Sequence, residues 1–367
     1  MINSYPLITI GMPCYNSEET ILRALKSALK QTWSNFEIIL VDDCSTDNTV
    51  DIVEKELKKL QGLNIKFLSN SVNKGPGFSR QRILDIASGE FLVFFDDDDE
   101  SYPNRIEEQY QAIISLETAS DQQLIACYAS GVRLYDSGYR KILPAIGSKA
   151  EPLCGKVVAN YLLYHEVNSH LFYGSGTPSC SLMARVNTFN LVGGFDINLR
   201  RVEDIDFAIR LSIKGGCFVG TRQELFKQYS THAIDKSPLK NLNAEQMLVS
   251  KFKEYLDKRN LFEYAYRWPK LRFFHFTNQY HLLLKELVVL IFLHPYRTIN
   301  HFFSPSALTQ SLINDYISIR IFSAPAELTI YVLVGLFLGL QKTFISSLLI
   351  TFFCIINGIK YWKIHNL

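Results

Sequence analysis

Unbroken apolar runs alternate with helical patterns along the first hundred residues. Four such runs predict strands, namely LITIGMP (7–13), EIILVDD (37–43), NIKFLS (64–69) and FLVFF (91–95). Between them, apolar residues recur at helical spacing, as at Ile21, Leu25 and Ala28. Continuous apolar strands separated by helices are typical of a parallel sheet that is covered on both faces. The pattern therefore predicts an α/β fold.

Polar clusters follow the predicted strands at the same edge of this sheet. They are Cys14-Tyr15-Asn16, Asp42-Asp43, Lys74-Gly75 and the run Asp96–Asp99. Ligands of parallel sheets bind beyond the carboxyl ends of the strands, so we expect these clusters to surround one site. Asp42 and Asp43 need not act alike, and we expect Asp42 to be structural.

The four adjacent aspartates fit a cation site. In an extended segment, residues i and i+2 point the same way, so Asp96 and Asp98 can face one ligand. Carboxylate oxygens suit Mg²⁺ or Mn²⁺, and Mg²⁺ is usually held by one or two carboxylates together with substrate phosphates. The alternative is a solvated polar turn that only ends the strand.

The later segments are less regular. Residues 125–180 predict loops and short strands, whereas 200–215 predicts an amphipathic helix ended by Gly215-Gly216. Its acidic start, with Glu203, Asp204 and Asp206, would be favoured by the helix dipole even without a catalytic role.

Two uncharged segments near the end, 328–340 and 343–359, predict a membrane hairpin with both ends cytoplasmic. The alternative is a pair of buried helices in a soluble domain. Between Lys236 and Arg297, eleven Lys and Arg residues stand against five acids, among many aromatic residues.

Composition excludes several classes. A net charge of +2 gives no nucleic-acid signature. The seven cysteines form no CxxC pair, so we expect reduced thiols rather than disulfides or a zinc site. The first residues show no secretory signal. The turn NKGPGFS (73–79) does not complete a dinucleotide-binding or Walker motif.

Four segments together resemble family 2 glycosyltransferases, which have the GT-A fold. They are CYNSEETILRALKSALKQTW, IILVDDCSTDNTVDIV, NKGPGFSRQRILDIASGEFLVFFDDDD and GGFDINLRRVEDIDFAIRL. The match covers residues 7 to about 235 and implies a mixed, mainly parallel sheet flanked by helices. With the composition of the remaining third, we expect a catalytic domain (1–235), a basic aromatic helical region (236–320) and an apolar, partly membrane-associated segment (321–367).

The resemblance also implies roles for single residues. Pro13, Tyr15 and Glu18 or Glu19 would form the loop against the nucleotide base, which Asp43 would hydrogen-bond. In the Asp96-Asp97-Asp98 motif, Asp96 would meet the ribose and Asp98 the metal, while Asp99 matches a frequent acid of less certain role. The nucleotide-sugar site would comprise Pro13, Tyr15, Glu18, Asp43, Arg80, Asp96 and Asp97. Arg80 has an alternative interpretation as a helix-surface residue.

Asp204, in the Glu203-Asp204 pair, would be the general base that takes a proton from an attacking sugar hydroxyl. His232 is a candidate metal ligand and Lys236 a candidate diphosphate contact, although both local matches are loose.

The predicted function is inverting transfer of a sugar, with a UDP-sugar as the favoured donor, to a hydroxyl of a glycan or glycolipid acceptor. The acceptor would be lipid-linked, in O-antigen or capsule synthesis at the cytoplasmic face of the inner membrane, with Mg²⁺ or Mn²⁺ as cofactor. A polyprenyl-phosphate glycosyltransferase and a non-catalytic scaffold of a glycan assembly complex are the alternatives. A nucleotidyltransferase is disfavoured because GMPCYNSEET offers no basic Gly-rich loop.

Overall fold

The apolar runs of the first hundred residues form parallel strands within one large sheet. The computed structural model describes residues 5–149, 151–230 and 237–303. Its strands are β1 (Ile8–Cys14), β2 (Phe36–Asp42), β3 (Ile65–Ser69), β4 (Phe91–Phe94), β5 (Glu100–Ser101), β6 (Ile125–Leu134), β7 (Arg140–Leu143), β8 (Leu153–Cys154), β9 (Leu182–Arg185) and β10 (Cys217–Tyr229).

Helices connect and cover these strands. They are α1 (Ile21–Leu29), α2 (Thr49–Leu57), α3 (Pro76–Ile86), α4 (Arg105–Ala119), α5 (Val157–Tyr164), α6 (Val186–Val192), α7 (Glu203–Ile213), α8 (Pro238–Lys251), α9 (Lys253–Asp257), α10 (Phe262–Phe276), α11 (Tyr280–Leu293) and α12 (Pro295–Phe303), with a 3₁₀ turn at Ser179–Ser181.

The sheet is mixed and mainly parallel, as predicted. Its order is β3-β2-β1-β4-β9-β6-β10-β5, with β7 beside β6 and β8 beside β10. Strands β3, β2, β1 and β4 are mutually parallel, and β6 is parallel to β10. Strand β9 joins these two groups by running antiparallel to both β4 and β6.

Two apolar layers explain why the first strands read as continuous apolar runs. Successive side chains of a strand point to opposite faces, so Ile38 and Leu40 pack on one side of β2 and Ile39 and Val41 on the other. Helices α1, α2 and α4 cover the first face, and α3, α6 and α7 cover the second. Burying each such side chain contributes about 1.5–3 kcal/mol, so both layers stabilise the sheet.

The segment 125–180 is more regular than predicted. It contains the ten-residue strand β6 and the helix α5, and the thirteen-residue strand β10 was also not predicted. Small residues weaken the strand pattern of β6 because larger neighbours fill the space beside it. A Cβ atom at Gly131 would lie 2.4 Å from the Phe226 ring of β10.

Helices α8 to α12 occupy residues 238–303, and α8 to α11 build a third apolar cluster with α5 and α7. None of the helices in the described ranges has both the length and the apolar character that crossing a membrane requires. The predicted hairpin, at 328–340 and 343–359, lies outside the described residues. The three domain boundaries stay predictions.

The expectation that all cysteines are reduced is wrong for one pair. Cys154 and Cys217 face each other across the antiparallel strands β8 and β10, and their sulfur atoms form a disulfide. The two residues lie 63 positions apart, so no local spacing signalled the pairing. Cys14, Cys44, Cys127 and Cys180 are free thiols.

We expect reduction of this disulfide to lower the free energy of unfolding by about 2–4 kcal/mol, because the crosslink restricts the unfolded chain. Urea unfolding with and without a reductant measures the difference. A Cys154→Ser variant should unfold at the lower urea concentration in both buffers. An unmodified protein whose stability does not respond to reductant would contradict the pairing.

Candidate functional site

A cleft of about 900 Å³ opens at the carboxyl ends of the parallel strands, where the polar clusters were predicted to meet. Its wall includes six of the predicted site residues, namely Pro13, Tyr15, Asp43, Arg80, Asp96 and Asp97. Glu203, Arg200, Arg201 and Lys240 complete the charged part of the wall. Glu18, Asp98 and Asp204 are not among the lining residues, and His232 and Lys236 lie outside the described residues.

Arg80 lies at the centre of the cleft floor. Its Nη2 atom is 3.0 Å from Asp96 Oδ1, and its Nη1 atom donates a hydrogen bond to Glu203. Arg80 and Glu203 are both only 6% exposed, so the interpretation of Arg80 as a helix-surface residue is wrong. The neighbouring charges of Asp96 and Glu203 raise the pKa of Arg80 against the opposing effect of burial. The arginine therefore stays charged and joins the end of β4 to the start of α7.

Asp43 fixes the glycine-containing turn that follows β3. Its carboxylate accepts hydrogen bonds from the backbone N–H groups of Lys74, at 3.0 Å, and Gly75, at 2.6 Å, and from the Asn70 side chain. Gly75 has a φ of +90°, a conformation that glycine adopts without strain. Asp43 thus lines the cleft as predicted and also shapes the opposite wall.

Asp42 holds its own turn, because its carboxylate accepts hydrogen bonds from the backbone and hydroxyl of Ser45. This agrees with the expected structural role. Glu18 likewise accepts hydrogen bonds from the backbone and side chain of Asn48, just before α2. Its carboxylate therefore supports the start of a helix.

The aspartates after β4 have different environments. Asp97 accepts a hydrogen bond from the Tyr15 backbone N–H at 2.9 Å, and burial together with the charge of Asp98 raises the pKa of Asp97 to about 7. The Asp98 carbonyl accepts a hydrogen bond from Arg23, whose guanidinium stacks on the Tyr229 ring at 3.9 Å. These contacts tie the aspartate run to β1, α1 and β10.

Asp99 lies beneath the cleft and is buried. Neither of its carboxylate oxygens has a hydrogen-bond partner among the described residues. Burial and the charges of Asp96 and Asp98 raise the pKa of Asp99 to about 9. Asp96, Asp99 and Cys180 each place one potential ligand atom within 4.8 Å of the others. Sequence reasoning missed Cys180, because the 3₁₀ turn that carries it is distant in the chain.

Arg105 anchors this region from below. It is 1% exposed and donates hydrogen bonds to the carbonyls of Phe94 and Cys180, and to side chains of α4 and β5. Burial lowers the pKa of Arg105 to about 10, so it remains charged at neutral pH. The carbonyl contacts fix the last residue of β4 against the 3₁₀ turn.

The first turn of α7 carries the predicted Glu203-Asp204 pair. Val202, directly before it, has a φ of +57°, which is strained for a β-branched residue and is typical of functional sites. Asp204 Oδ1 accepts a hydrogen bond from the Ile205 N–H at 2.8 Å. Burial and the neighbouring charge of Glu203 raise the pKa of Asp204 to about 7.

The third acid of this turn has a structural environment. Asp206 is fully buried and pairs with Arg210 of α7 and Lys251 of α8, both at 2.7 Å. The Lys251 pair holds α8 against α7, and α8 supplies Lys240, Asn243 and Met247 to the cleft wall.

Sequence reasoning did not single out the basic residues of the cleft wall. Arg200 donates hydrogen bonds to Asn73 in the turn after β3, and Arg201 donates one to Asn241 of α8 at 2.7 Å. The adjacent arginines before the acidic pair were a local signal that could have been used. No local sequence signal pointed to Lys240, because α8 is distant from the other clusters in the sequence.

Comparisons with known proteins agree with this geometry. The family described as Glycosyl transferase family 2 matches residues 9–171. EpsE of Bacillus subtilis (strain 168) is 29% identical over 233 residues, covering 62% of this chain and 74% of EpsE. The amylovoran biosynthesis glycosyltransferase AmsB of Erwinia amylovora is 25% identical over 267 residues, covering 71% and 83% of the two chains.

A third relative is more similar in sequence, but over a shorter part of the chain. The Escherichia coli UDP-Glc:alpha-D-GlcNAc-diphosphoundecaprenol beta-1,3-glucosyltransferase WfgD is 38% identical over 108 residues, which are 29% of this chain and 41% of WfgD. Among solved structures, S. aureus TarS 1-349 in complex with UDP-GlcNAc superposes with a TM-score of 0.53 at 21% identity, covering 79% and 82% of the two chains. This likeness shows a shared fold.

We expect Arg80→Met to lower the free energy of unfolding by about 3–5 kcal/mol, because it leaves the buried Glu203 carboxylate without its cation. Chemical denaturation measures the loss. Arg140→Met is the matched control, since Arg140 pairs with Glu224 on the surface and such pairs contribute under about 1 kcal/mol. Equal losses in both variants would contradict a central role for Arg80.

Proposed function

Because the chain belongs to glycosyl transferase family 2, through residues 9–171, we propose that it moves a sugar from a nucleotide-sugar to a hydroxyl group of a glycan acceptor, with inversion at the anomeric carbon. The observation that carries the proposal is the convergence of Asp43, Asp96, Asp97 and Glu203 on one cleft, from four separate segments of the chain. Asp204 follows directly on the wall residue Glu203.

Asp204 is better suited than Glu203 to act as the general base. Glu203 accepts a hydrogen bond from Arg80, which stabilises its charged form and occupies its oxygen. The pKa of Asp204 is raised to about 7. A general base with a pKa near the working pH is deprotonated in much of the enzyme and still accepts a proton effectively. In this mechanism Asp204 takes the proton of the acceptor hydroxyl as its oxygen attacks the anomeric carbon, and the nucleoside diphosphate leaves from the opposite side.

The aspartate run fits a divalent cation. Asp97 and Asp99 have raised pKa values because like charges and burial disfavour their ionised forms, and the Asp99 oxygens lack partners among the described residues. A bound cation would stabilise the ionised carboxylates and would give the Asp99 oxygens a partner. Carboxylate oxygens are the ligands that Mg²⁺ and Mn²⁺ prefer. Asp98 would hold the ion together with Asp96 and Asp99, whose oxygens lie within 4.8 Å of each other, and the ion would neutralise charge on the leaving diphosphate. The Cys180 thiol is too soft a ligand to be favoured by these ions.

The remaining parts of the wall suit a diphosphate. Arg200, Arg201 and Lys240 provide positive charge to the wall. The UDP-GlcNAc complex of TarS, which has the same fold, supports a UDP-sugar as donor. The names of AmsB and WfgD support an acceptor in bacterial polysaccharide synthesis, with WfgD acting on a diphosphoundecaprenol-linked sugar. We extend the proposal to a lipid-linked acceptor at the cytoplasmic face of the inner membrane.

We expect Asp204→Asn to lower kcat by about 10²–10⁴ while leaving the affinity for UDP near normal, because the amide cannot accept the proton. A transfer assay over a range of pH, with calorimetric UDP titration, tests this. The unmodified enzyme needs Asp204 deprotonated, so its kcat/KM should rise with pH up to about 7 and then level off.

Glu203→Gln is the matched control for this experiment. Glu203 is the neighbouring acid, and its loss should reduce stability through Arg80, while the rise of kcat/KM with pH remains but shifts to lower pH because the Glu203 charge that raises the pKa of Asp204 is lost. An Asp204→Asn enzyme that retains full activity would make the base assignment wrong. Transfer to polyprenyl phosphate alone would identify the lipid phosphate, rather than a sugar hydroxyl, as the acceptor.

We expect Asp98→Ala to remove the difference between UDP affinities measured with and without Mn²⁺, because the cation would lose a carboxylate ligand. Calorimetry in buffers with Mn²⁺ and with a chelator measures both affinities. Asp51→Ala, on the exposed side of α2, should retain the difference. If the affinity of the unmodified protein is the same in both buffers, the metal role is contradicted.

A further inference from the structure

Tyr128 of β6 carries a hydroxyl group that its packing does not require. The residue is 1% exposed and belongs to the apolar layer that α3, α6 and α7 cover. Its ring stacks on the Phe218 ring of β10, with the ring centroids 6.2 Å apart. Within the described ranges the hydroxyl has no hydrogen-bond partner. A buried hydroxyl in this state is destabilising, and phenylalanine would fill the same space without that cost. The hydroxyl therefore needs an explanation other than packing.

The register of the sheet places Tyr128 at the cleft end of β6. Strand β9 lies between β4 and β6, and Met183 of β9 is paired with Val93 on one side and with Cys127 on the other. Tyr128 is therefore level with Phe94, the last residue of β4, and the two belong to the same apolar layer. The aspartate run begins two residues beyond Phe94. Tyr128 thus lies near the edge of the sheet where the cleft opens.

Helix α7 directs Asp204 towards the same apolar layer. Phe207, Ala208 and Leu211 follow Asp204 by three, four and seven residues, so the four residues lie along one face of the helix. The three apolar residues are fully buried in the layer that contains Tyr128. Asp204 is half-buried and begins this face at the cleft end of the helix. Asp204 and Tyr128 therefore approach the same part of the layer.

Electrostatic effects also connect the two groups. Burial, followed by the negative charge of Asp204, raises the pKa of the Tyr128 hydroxyl, and the Cys127 thiol adds a smaller effect. The hydroxyl keeps its proton at neutral pH and is available as a donor. Glu203 and Arg80 are the charged side chains with the largest effects on Asp204. In the part of the chain that the structure describes, no side chain donates a hydrogen bond to the Asp204 carboxylate.

We propose that Tyr128 is a positioning residue of the transfer reaction, whose hydroxyl donates a hydrogen bond to the ionised Asp204 carboxylate. The second carboxylate oxygen then takes the proton of the acceptor hydroxyl, while Tyr128 keeps its own proton. Hydrogen bonds of this kind are often loose without substrate and tighten in the complex. The inference rests on the proposed function, because it takes Asp204 as the general base.

Carboxyl NMR of the full-length protein tests the contact without a substrate. Tyr128→Phe removes the hydroxyl oxygen and keeps the ring. In protein labelled with ¹³C at the aspartate carboxyl groups, the signal of Asp204 is the one that Asp204→Asn removes. A donated hydrogen bond favours the charged form of a carboxylate, so its loss should raise the pH midpoint of this signal by about one unit.

The activity of Tyr128→Phe should change in the same sense. We expect kcat to fall about tenfold and the plateau of kcat/KM to begin about one pH unit higher, because the base has lost a hydrogen bond to its charged form. UDP affinity should be unaltered, since Tyr128 does not line the cleft. In an Asp204→Asn background, adding Tyr128→Phe should not lower kcat further, because the two groups act together.

Tyr164→Phe is the matched control. Tyr164 is 3% exposed but lies in the third apolar cluster, so the loss of its hydroxyl should leave the Asp204 midpoint and the pH dependence of kcat/KM unchanged. Urea unfolding gives a second readout. Tyr128→Phe should be at least as stable as the unmodified protein, because it removes a buried hydroxyl that lacks a partner.

An Asp204 midpoint that is the same in Tyr128→Phe and in the unmodified protein would overturn the inference. A large loss of stability in Tyr128→Phe, without a change in the midpoint, would make the residue structural and would overturn it as well. If Asp204→Asn keeps full activity while Tyr128→Phe raises the midpoint, the contact between the two side chains is confirmed, and the base assignment of the proposed function alone is wrong.

Discussion

The buried ion pairs of Arg80 with Asp96 and Glu203 are the constraint on which the site depends. They connect α3, the end of β4 and the start of α7, which are up to 123 residues apart in the chain. Without a buried cation, the acids of the cleft would repel one another and resist removal from water. Because Arg80 balances part of this charge, several carboxylates can stay close together, and the edge of the sheet becomes a preformed site rather than a solvated turn.

The same ion pair separates the chemistry of two adjacent acids. Glu203 has its cation and acts as a structural anion, whereas Asp204, one residue later, is half-buried beside that negative charge. The result is a pair of carboxyl groups whose environments push their proton affinities apart, a general way in which enzymes assign different roles to like residues. The strained backbone of Val202 contributes to this separation, because it sets the direction of both side chains at the start of α7.

Sequence reasoning succeeded where local pattern and topology were sufficient. The strands β1 to β4 were predicted because both faces of each are covered, and the convergence of Tyr15, Asp43 and the aspartate run followed from their parallel direction. It failed where distant segments decide the outcome. Strand β6 has small residues because Phe226 fills the space beside Gly131, and the Cys154–Cys217 disulfide joins residues without a local motif. Arg80 was ambiguous because its partner Glu203 is distant in sequence.

The C-terminal helices connect these observations. Helix α8 is held to α7 by the pair of buried Asp206 with Lys251, and it forms part of the cleft wall while also packing on α10. Lys240 and Met247 of α8 therefore reach the cleft because side chains distant from it hold the helix in place. The shape of the cleft wall is decided by packing among α8, α10 and α11 as well as by the edge of the sheet, so a substitution in α10 or α11 can alter the cleft without replacing any residue that lines it.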